Sequence, residues 1–530
     1  MSTITTALSR KRGFFRFWLP WVILALAGLA VTALWFWPGE QPARAERITG
    51  IWMSIPLTVL LLEAWVLFFS GWPQKVRLLV LLLPFVALGG LLAAVRDWSW
   101  SGDMVPHFTF RWQRAHDDVL EAHRRDQKEG GPWEPGDLSG NQPTDFPEYR
   151  GRQRDGVVPR AGLARDWKAQ PPRLLWKQPV GGGYAGFAVA GNAAVTIEQR
   201  RDREAVVCYD TATGQEIWAY PYPAHFQERL GGPGPRATPT IRDGAVYSLG
   251  ATGVLLCLDA ATGEQRWTVN ILEKRDNVPW GMSGSPLVYD QVVVVNPGAQ
   301  GDGGKGRALE AYDRATSREV WHGGDAAAGY SSPMLATLGG VRQVLIFDAA
   351  GLGGYAAADG KELWRHPWPT YRGINVAQPL VLDGDRVFIS SGYGVGCAVL
   401  RIRQEDGRWS VQELWKNQAM HCKFTSPVAF QGHLYGLDEG VLVCVEAETG
   451  KRTWRGERYG HGQLLLADDL LLILGEQGEL ALVEATPEAF RELGRIEALE
   501  GKTWNTLALA GGRVYLRNHE QMACYDLTGR

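Results

Sequence analysis

The stretch Cys208-Tyr-Asp210-Thr-Ala-Thr-Gly214-Gln-Glu-Ile-Trp218 is the clearest copy of a phrase that recurs along this chain. An apolar segment ends at an acidic residue, a Thr-Gly pair follows, and a second segment ends on tryptophan. The acidic side chain can accept hydrogen bonds from turn amides, and glycine takes positive φ there at little steric cost. A tryptophan can bury roughly 150–250 Å² against neighbouring strands. The phrase therefore predicts two strands joined by a tight turn and anchored by an indole.

Tryptophans at equivalent positions recur about every 40 to 50 residues, a period that is typical of β-propellers when the repeats are rich in strands. They are Trp176, Trp218, Trp267, Trp321, Trp364, Trp415 and Trp454. Trp176 has no turn phrase before it, whereas the phrase Cys524-Tyr-Asp526-Leu-Thr-Gly529-Arg530 has no tryptophan after it. Joining these two segments completes one blade. We therefore predict an all-β, eight-bladed propeller over residues 171–530, with N- and C-terminal strands closing one blade.

A count of seven blades is the alternative. Near Gly494, where the next tryptophan of the series is due, Glu484-Ala-Thr-Pro487 replaces the usual turn phrase. The count falls to seven if this segment does not form a blade.

A second periodic mark is a small or polar residue followed by proline, which suits the first position of a strand because that residue can spare its N–H. The steps are Thr238-Pro239, Ser285-Pro286, Ser332-Pro333, Gln378-Pro379 and Ser426-Pro427, with Gly186-Phe187, Gln463-Leu464 and Asn505-Thr506 as equivalents without proline. The first strands of a propeller line its central channel. Residues just before the steps should therefore converge on one mouth of that channel. They are Tyr184, Arg236, Ser283, Tyr330, Asn375, Phe424, His461 and Trp504.

Three apolar runs precede the propeller, at residues 17–37, 50–70 and 78–95. Each is close to the roughly 20 residues that a membrane-spanning helix needs, and together they are too long for one cleavable signal peptide. Residues 1–97 are therefore predicted to be a membrane anchor with three transmembrane helices. Glu63 lies inside the second span, and the sequence gives it no definite role.

Basic residues at the N-terminus predict the orientation of the anchor. Arg10, Lys11, Arg12 and Arg16 precede the first span, and basic flanks favour the cytoplasmic side. An odd number of spans then places the propeller on the extracytoplasmic side of a bacterial inner membrane. Residues 98–170 are predicted to be a connector, in which the Gly- and Pro-rich segment Gly130–Pro143 forms a flexible strip.

Composition excludes some functions. The formal net charge is −2 and no basic stripe is visible, which argues against a nucleic-acid partner. Gly301-Asp-Gly-Gly304-Lys305-Gly306 lacks the Ser or Thr of a phosphate loop and is predicted to join two strands. No metal site is predicted, because His116 and His123 are too far apart along a helix to share an ion.

Six cysteines in an exported domain raise the question of disulfides. Four of them occupy one repeat position and are predicted to be small buried groups rather than bridges: Cys208, Cys257, Cys444 and Cys524. Cys397 and Cys422 lie outside that set, and a bridge between them stays open.

The acidic-Thr-Gly-Trp repeats resemble the pyrroloquinoline-quinone (PQQ)-type propellers of the quinoprotein alcohol dehydrogenase-like family. The segment Asp145-Phe-Pro-Glu-Tyr-Arg150-Gly151-Arg-Gln-Arg-Asp155-Gly156 also resembles the lead-in found before many such repeat domains. The likeness covers roughly residues 144–530. It implies one of three uses: a quinone-dependent dehydrogenase, the propeller lipoprotein of the outer-membrane barrel assembly machinery, or a repeat protein of unassigned role.

For an enzyme, the resemblance implies a quinone held by basic and hydroxyl groups, a calcium ion with several oxygen ligands, and an aspartate base. The candidates for cofactor binding are Arg236, Glu198, Asn375 and Trp504, at the channel mouth. The adjacent cysteine pair that is common in the family's enzymes is missing from this sequence. No aspartate is singled out as the base, so the catalytic residue is unknown.

Two functions follow as hypotheses. The first is a membrane-tethered, extracytoplasmic platform that binds a protein partner without catalysis and without a cofactor. The second is a dehydrogenase that oxidises an alcohol or a sugar with PQQ and calcium. The intact repeats and the missing cofactor signatures favour the platform.

Overall fold

A computed structural model describes residues 16–37, 44–127, 133–273, 275–299 and 305–529. It contains two compact units, one ending at Arg114 and the other beginning at Ala115. The predicted basic flank Arg10–Arg12 lies outside the described residues. So do residues 130–132 of the predicted strip and Gly301–Gly304 of the glycine-rich loop.

The first unit contains three apolar helices and a β-hairpin. The helices are α1 (Leu19–Trp35), α2 (Arg44–Phe68) and α3 (Gln74–Ala94), and the hairpin pairs Val95–Trp100 with Pro106–Phe110. Many apolar side chains of the helices are exposed, as expected of surfaces that face lipid. Glu63 is half-buried within α2.

Within the described residues, two helices rather than the predicted three are long and apolar enough to cross a membrane, namely α2 and α3. Helix α1 is apolar but has 17 residues, so it is only about 26 Å long against a hydrocarbon core of about 30 Å. Pro20 lies in the first turn of this helix, where its missing N–H costs no intrahelical hydrogen bond. The prediction of three full spans was therefore too high by one.

The second unit begins with helix α4 (His116–Asp126). Residues 133–172, which we call the lead-in, then pack on the propeller. The prediction of a flexible strip was wrong for the part that the structure describes, residues 133–143. Its backbone is bonded to the turns of two blades: Gly136 N–H donates to Asn192 Oδ1 at 2.7 Å, and Asp243 N–H donates to the Ser139 carbonyl at 2.8 Å. Glycine and proline shape this segment to the propeller surface.

Eight blades, each with four antiparallel strands, form the propeller within the described residues, which confirms the predicted count. Blade 1 is Ala188–Ala190, Ala193–Arg200, Arg203–Asp210 and Glu216–Tyr222; blade 2 is Thr240–Arg242, Ala245–Leu249, Val254–Asp259 and Gln265–Asn270; blade 3 is Leu287–Tyr289, Val292–Val295, Leu309–Asp313 and Glu319–Gly323; blade 4 is Met334–Leu338, Val341–Asp348, Gly351–Ala356 and Glu362–Pro367. First strands of neighbouring blades contact one another, which places them around the axis.

The other four blades follow the same order. Blade 5 is Leu380–Val381, Arg386–Ser391, Gly396–Glu405 and Arg408–Asn417; blade 6 is Val428–Phe430, His433–Asp438, Val441–Glu446 and Arg452–Arg458; blade 7 is Gln463–Ala467, Leu470–Leu474, Glu479–Glu484 and Glu492–Glu497; blade 8 is Ala508–Ala510, Arg513–Arg517, Gln521–Asp526 and Arg173–Pro179. Val157–Val158 pairs in parallel with the first strand of blade 7. Two short elements lie between blades. One is a hairpin of two-residue strands, Gln227–Glu228 with Gly232–Pro233, and the other is a 3₁₀ turn, Tyr371–Gly373.

The two ends of the propeller meet in blade 8. Trp176 lies opposite Cys524 in an antiparallel pair, which confirms the predicted closure. Arg517 joins this blade to blade 1, since its buried guanidinium donates to Thr196 Oγ1 at 2.6 Å and to the Gly181 carbonyl at 2.7 Å. The junction is therefore held both by a sheet ladder and by charge-assisted hydrogen bonds.

The repeat phrase has a physical explanation in the contact between blades. Trp218 Nε1 donates to the Ala260 carbonyl in the turn of the next blade at 3.1 Å, and its ring covers Gly263 of that turn. Asp259 fixes the turn by accepting hydrogen bonds from two turn amides. Equivalent bonds run from Trp176 to Thr211, from Trp267 to Arg314, from Trp415 to Ala447 and from Trp454 to Thr486. These five tryptophans thus lock their own blades to the following ones, whereas Trp364 Nε1 donates to Gln343 Oε1 within its own blade at 2.6 Å.

Blade 7 has no tryptophan of its own, and the lead-in supplies a substitute. Trp167 packs on Gly494, where an added Cβ would lie 2.5 Å from the Trp167 Cβ. The Ala164 amide donates to the Leu527 carbonyl at 2.8 Å, the position in blade 8 that corresponds to Ala260 in blade 2. The lead-in therefore supplies the contact between blades 7 and 8 that a tryptophan makes elsewhere.

A series of hydrogen bonds links six of the eight predicted steps at the axis. The amide of one step donates to the side chain of the next: Gly186 to Thr238, Thr238 to Ser285, Ser285 to Ser332, Ser332 to Gln378, and Gln378 to Ser426, at 2.9 to 3.3 Å. Small polar side chains at these positions satisfy buried amides that no strand ladder reaches.

Two arginines of the lead-in fill the channel from the face opposite the mouth. Arg154 donates to the carbonyls of Ser285 and Pro333 at 2.9 and 2.8 Å, and to that of Pro286. Arg150 does the same for Ser426, Pro427 and Leu464. Both guanidinium groups are buried, so the lead-in closes one end of the channel.

All six cysteines are buried free thiols. Cys208, Cys257, Cys444 and Cys524 lie in the cores between blades, as their shared repeat position predicted. Cys397 and Cys422 are likewise unbridged.

Candidate binding site at the mouth of the propeller

Aromatic side chains that precede the steps come together at the mouth. Ring centroids are 5.5 Å apart for Tyr184 and Trp504, 4.8 Å for Trp504 and Phe424, and 5.4 Å for Phe424 and His461. These four side chains come from the loops before blades 1, 8, 6 and 7. The spacing of the steps therefore located residues that are far apart in sequence and adjacent in space.

Three cations lie against this aromatic group. The Arg236 guanidinium is 4.5 Å from the Phe226 ring and 5.7 Å from that of Tyr184. Lys502 Nζ is 4.2 Å from the Trp504 ring, and Lys423 Nζ is 5.1 Å from that of Tyr393. Both lysines are more than nine-tenths buried. Cation–π contacts of this kind stabilise desolvated charges next to an electron-rich ring face.

Arg236 supports the loop before blade 2. Its Nη2 donates to the Gly232 carbonyl at 2.9 Å, and its Nη1 donates to that of Gly234. Burial lowers the pKa of Arg236 to about 10, so the group stays charged at neutral pH. Burial also raises the pKa of the neighbouring Tyr330 to about 12, which keeps the phenol protonated.

The Asn375 side chain is fully buried, and neighbouring residues engage its hydrogen-bonding groups. Its amide donates to the Asp348 carbonyl at 2.8 Å and accepts from Ser391 Oγ at 2.7 Å. The Asn375 carbonyl accepts from the Tyr330 amide at 2.8 Å, and the Tyr330 carbonyl accepts from Ser283 Oγ at 3.0 Å. The predicted cofactor role of Asn375 stays a prediction.

Glu198 lies in the second strand of blade 1, away from the aromatic group. It accepts from Arg200 at 2.5 Å and from the Tyr209 hydroxyl at 3.1 Å. Arg200 also pairs with Glu216 at 2.8 Å, and Arg124 of α4 pairs with the same glutamate at 3.1 Å. Glu198 thus belongs to an ion-pair network that joins helix α4 to blade 1.

A calcium ion does not fit these residues. It would need the oxygen atoms of Glu198 or Asn375, which already accept hydrogen bonds from Arg200, Tyr209 and Ser391. Among the described residues, the structure shows no group of three or more Asp, Glu, His or Cys side chains placed for a metal.

Glu476 is a mouth residue that the sequence did not reveal. Its carboxylate accepts from Trp504 Nε1 at 2.9 Å and from the His461 amide at 3.1 Å. It follows the second strand of blade 7, which reaches the mouth after the return from the opposite face. Positions after second strands, as well as those before first strands, were the signal that could have found it.

Asp348 is a second missed residue, at the end of the second strand of blade 4. One carboxylate oxygen accepts from Arg365 at 2.9 Å, and the other has no hydrogen-bond partner among the described residues. Burial raises the pKa of Asp348 to about 6 despite the nearby arginine.

Asp348→Asn should change the pH dependence of stability. The raised folded-state pKa means that the contribution of Asp348 is fully present below its unfolded pKa and is lost as the pH rises through about 6. We expect the free energy of unfolding of the wild type, relative to the variant, to fall by up to about 3 kcal/mol between pH 4 and pH 7. Denaturant titrations at several pH values measure it. Parallel curves for the two proteins would contradict it.

The rim of the mouth carries exposed apolar and aromatic side chains. Leu230, Tyr371 and Tyr393 are 40%, 63% and 38% exposed, in the loops before blades 2 and 5 and within blade 5. We call these three residues the rim. They surround an interior in which the side chains are packed on one another.

The repeat domain matches a known protein family. The sequence profile of the family described as outer membrane protein assembly factor BamB matches residues 167–270 and 227–456, together more than half of the chain. The chain belongs to this family of PQQ-type β-propeller repeats. No curated protein matches the sequence.

Solved structures with the same fold include two enzymes. Quinohemoprotein alcohol dehydrogenase from Comamonas testosteroni is 13% identical, covering 78% of this chain and 84% of its own, with a TM-score of 0.52. Quinohemoprotein alcohol dehydrogenase ADHIIG from Pseudomonas putida HK5 is 14% identical, covering 74% and 81%, with a TM-score of 0.51. BamB from Moraxella catarrhalis is 14% identical, covering 67% and 99%, with a TM-score of 0.49. The two dehydrogenases share the propeller fold of this chain.

Proposed function

We propose that this protein is a non-catalytic platform that binds a protein partner at the mouth of its propeller. The proposal rests on the rim, because Tyr371, Leu230 and Tyr393 are exposed around an interior that packed side chains already fill. Aromatic side chains at the centre of a contact supply much of the binding energy in protein complexes. Membership of a family described by an assembly factor supports the same role.

We place the platform on the extracytoplasmic side of a membrane. Helices α2 and α3 are long and apolar enough to serve as anchors, and α1 adds a third, shorter apolar segment. Arg16 at the start of α1 belongs to the basic flank that favours a cytoplasmic N-terminus. Three crossings are needed for the propeller to lie outside the cytoplasm, so this placement requires the bilayer to be locally thinned around α1.

Site-specific photo-crosslinking tests the platform. A photoreactive side chain at Tyr371 should give one discrete adduct in native membranes. The matched control is Asp406, which is exposed in a turn of blade 5 on the opposite face and should give none. Leu230→Glu should reduce the Tyr371 adduct about tenfold or more, because a charge at the rim would be desolvated by the partner. Equal adducts at both positions, or none at Tyr371, would argue against it.

A PQQ-dependent dehydrogenase is the second candidate. The observation in its favour is that Arg236 and Lys502 both lie against the Tyr184 ring, where they could meet the carboxylates of a quinone. The engagement of Glu198 and Asn375 speaks against its calcium ion. We expect calorimetric titration of the full chain with PQQ and calcium chloride to show no binding. A ligand-dependent rise in the melting temperature would instead support the enzyme.

A further inference from the structure

A cavity of about 290 Å³ lies on the face opposite the mouth. It is bounded by the lead-in and by the first strands of blades 3 and 4, with Arg242 of blade 2 at its side. This volume is at the lower end of the range for small-molecule sites. It is separate from the rim and from the aromatic group at the mouth.

Four arginines line this cavity: Arg152, Arg154, Arg242 and Arg342. Arg154 is buried at the axis, and the other three keep part of their side-chain surface exposed. Guanidinium groups remain charged at all physiological pH values and bind carboxylate and phosphate oxygens in pairs.

Two acidic residues share the cavity wall. Glu148 is buried between Arg154, at 2.7 Å, and Arg242, at 3.2 Å. Asp290 is exposed and pairs with Arg342. The wall therefore carries two more positive than negative charges. Asp145, behind the wall, lies 3.8 Å from Arg152 and offsets one of them.

An apolar surface completes the cavity. Val288 and Tyr289 are buried in the first strand of blade 3, and the Arg342 guanidinium lies 5.0 Å from the Tyr289 ring. The Tyr289 hydroxyl donates to the Ala357 carbonyl at 2.7 Å, which holds the ring in place. A charged head and a short carbon body would both find complementary surface, and a fixed wall limits the entropy lost on binding.

We propose that this cavity binds a phosphate ester, with the phosphate among Arg152, Arg242 and Arg342 and the carbon body against Tyr289. A dianion suits several guanidinium groups better than one carboxylate does, and it would displace the exposed Asp290 carboxylate, to which both amino groups of Arg342 now donate. A free phosphate ester and a phospholipid headgroup share this chemistry. The site goes beyond the platform and does not depend on a protein partner.

Calorimetric titration of the full chain in a neutral detergent with glycerol phosphate tests the site. We expect saturable binding that Arg342→Gln weakens about tenfold or more. Arg318→Gln is the matched control, since Arg318 is exposed in a turn of blade 3 away from the cavity and should leave binding unchanged. A thermal melt of each variant verifies that it is folded.

The source of the phosphate is decided by a second probe, a short-chain phosphatidic acid. Binding about tenfold tighter than that of glycerol phosphate supports a lipid headgroup, and equal binding supports a free ester. Sodium acetate at equal ionic strength should compete weakly. No binding of either phosphate probe, or equal loss in the Arg342 and Arg318 variants, overturns the proposal.

Discussion

Removal of Cys524–Arg530 is expected to destabilise the propeller strongly. The deletion takes away half of the third strand of blade 8 and exposes the outer strand Arg173–Pro179, in which Trp176 pairs with Cys524. It also removes the buried side chains of Tyr525 and Leu527. Burial of each is worth about 1.5–3 kcal/mol, and a folded domain has only about 5–15 kcal/mol in total. Circular dichroism should show lost strand signal or a melting temperature at least about 10 °C lower.

A milder pair of variants keeps the same idea testable if the truncation yields no soluble protein. Leu527→Ala leaves the chain intact but empties a buried position, and should cost about 2–5 kcal/mol. Leu174→Ala changes the same residue type in the outer strand of the same blade, where the side chain is 48% exposed, and should cost less than about 1 kcal/mol. Similar melting temperatures for both would mean that the closure of blade 8 contributes little.

The number of blades could be predicted because each blade repeats one local solution. The turn of Asp259, Thr262 and Gly263 is held by hydrogen bonds between residues close in sequence, so the local sequence is enough to predict it. Trp218 then contacts the next copy of the same turn, and the period reveals that contact as well. Blade 7 was recognised as degenerate, but its substitute could not be predicted. Trp167 lies more than 300 residues from Gly494, and no repeat connects them.

The mouth could be predicted only in part. Residues before the steps converge because first strands surround the axis, which follows from the fold alone. The chemistry of each side chain depends on neighbours that the repeat does not specify. Asn375 is occupied by Ser391 and by the Asp348 carbonyl. Glu198 is occupied by Arg200 of its own strand and by Tyr209 of the neighbouring strand. Glu476 reached the mouth on a second strand and was missed.

The lead-in showed the largest gap between sequence and structure. Its Gly- and Pro-rich composition is typical of a linker, yet its backbone is bonded to the blades. Arg150 has a positive φ of 60°, which is uncommon outside glycine, and an added Cβ at Gly156 would collide with its guanidinium. Such a conformation persists only where the surroundings impose it. The resemblance to a family lead-in marked this segment, but its position in the channel required the structure.

Arg154→Met is expected to destabilise the propeller by about 3–5 kcal/mol. Methionine keeps the length of the side chain but removes the donors that serve the carbonyls of Ser285, Pro286 and Pro333. It also leaves the buried Glu148 with Arg242 as its one remaining cation among the described residues. Chemical denaturation at neutral pH measures the loss. Arg154→Lys should recover little of it, because an ammonium group cannot reach three carbonyls and a carboxylate in one plane.

Arg160→Met is the matched control for this substitution. Arg160 also lies in the lead-in and has a positive φ, of 57°, but its side chain is exposed. The change should cost less than about 0.5 kcal/mol, which separates the loss of a buried charge from any general effect on the lead-in. If Arg154→Met and Arg160→Met unfold at the same denaturant concentration, the guanidinium in the channel does not hold the blades together. The lead-in would then act through its backbone contacts and through Trp167 alone.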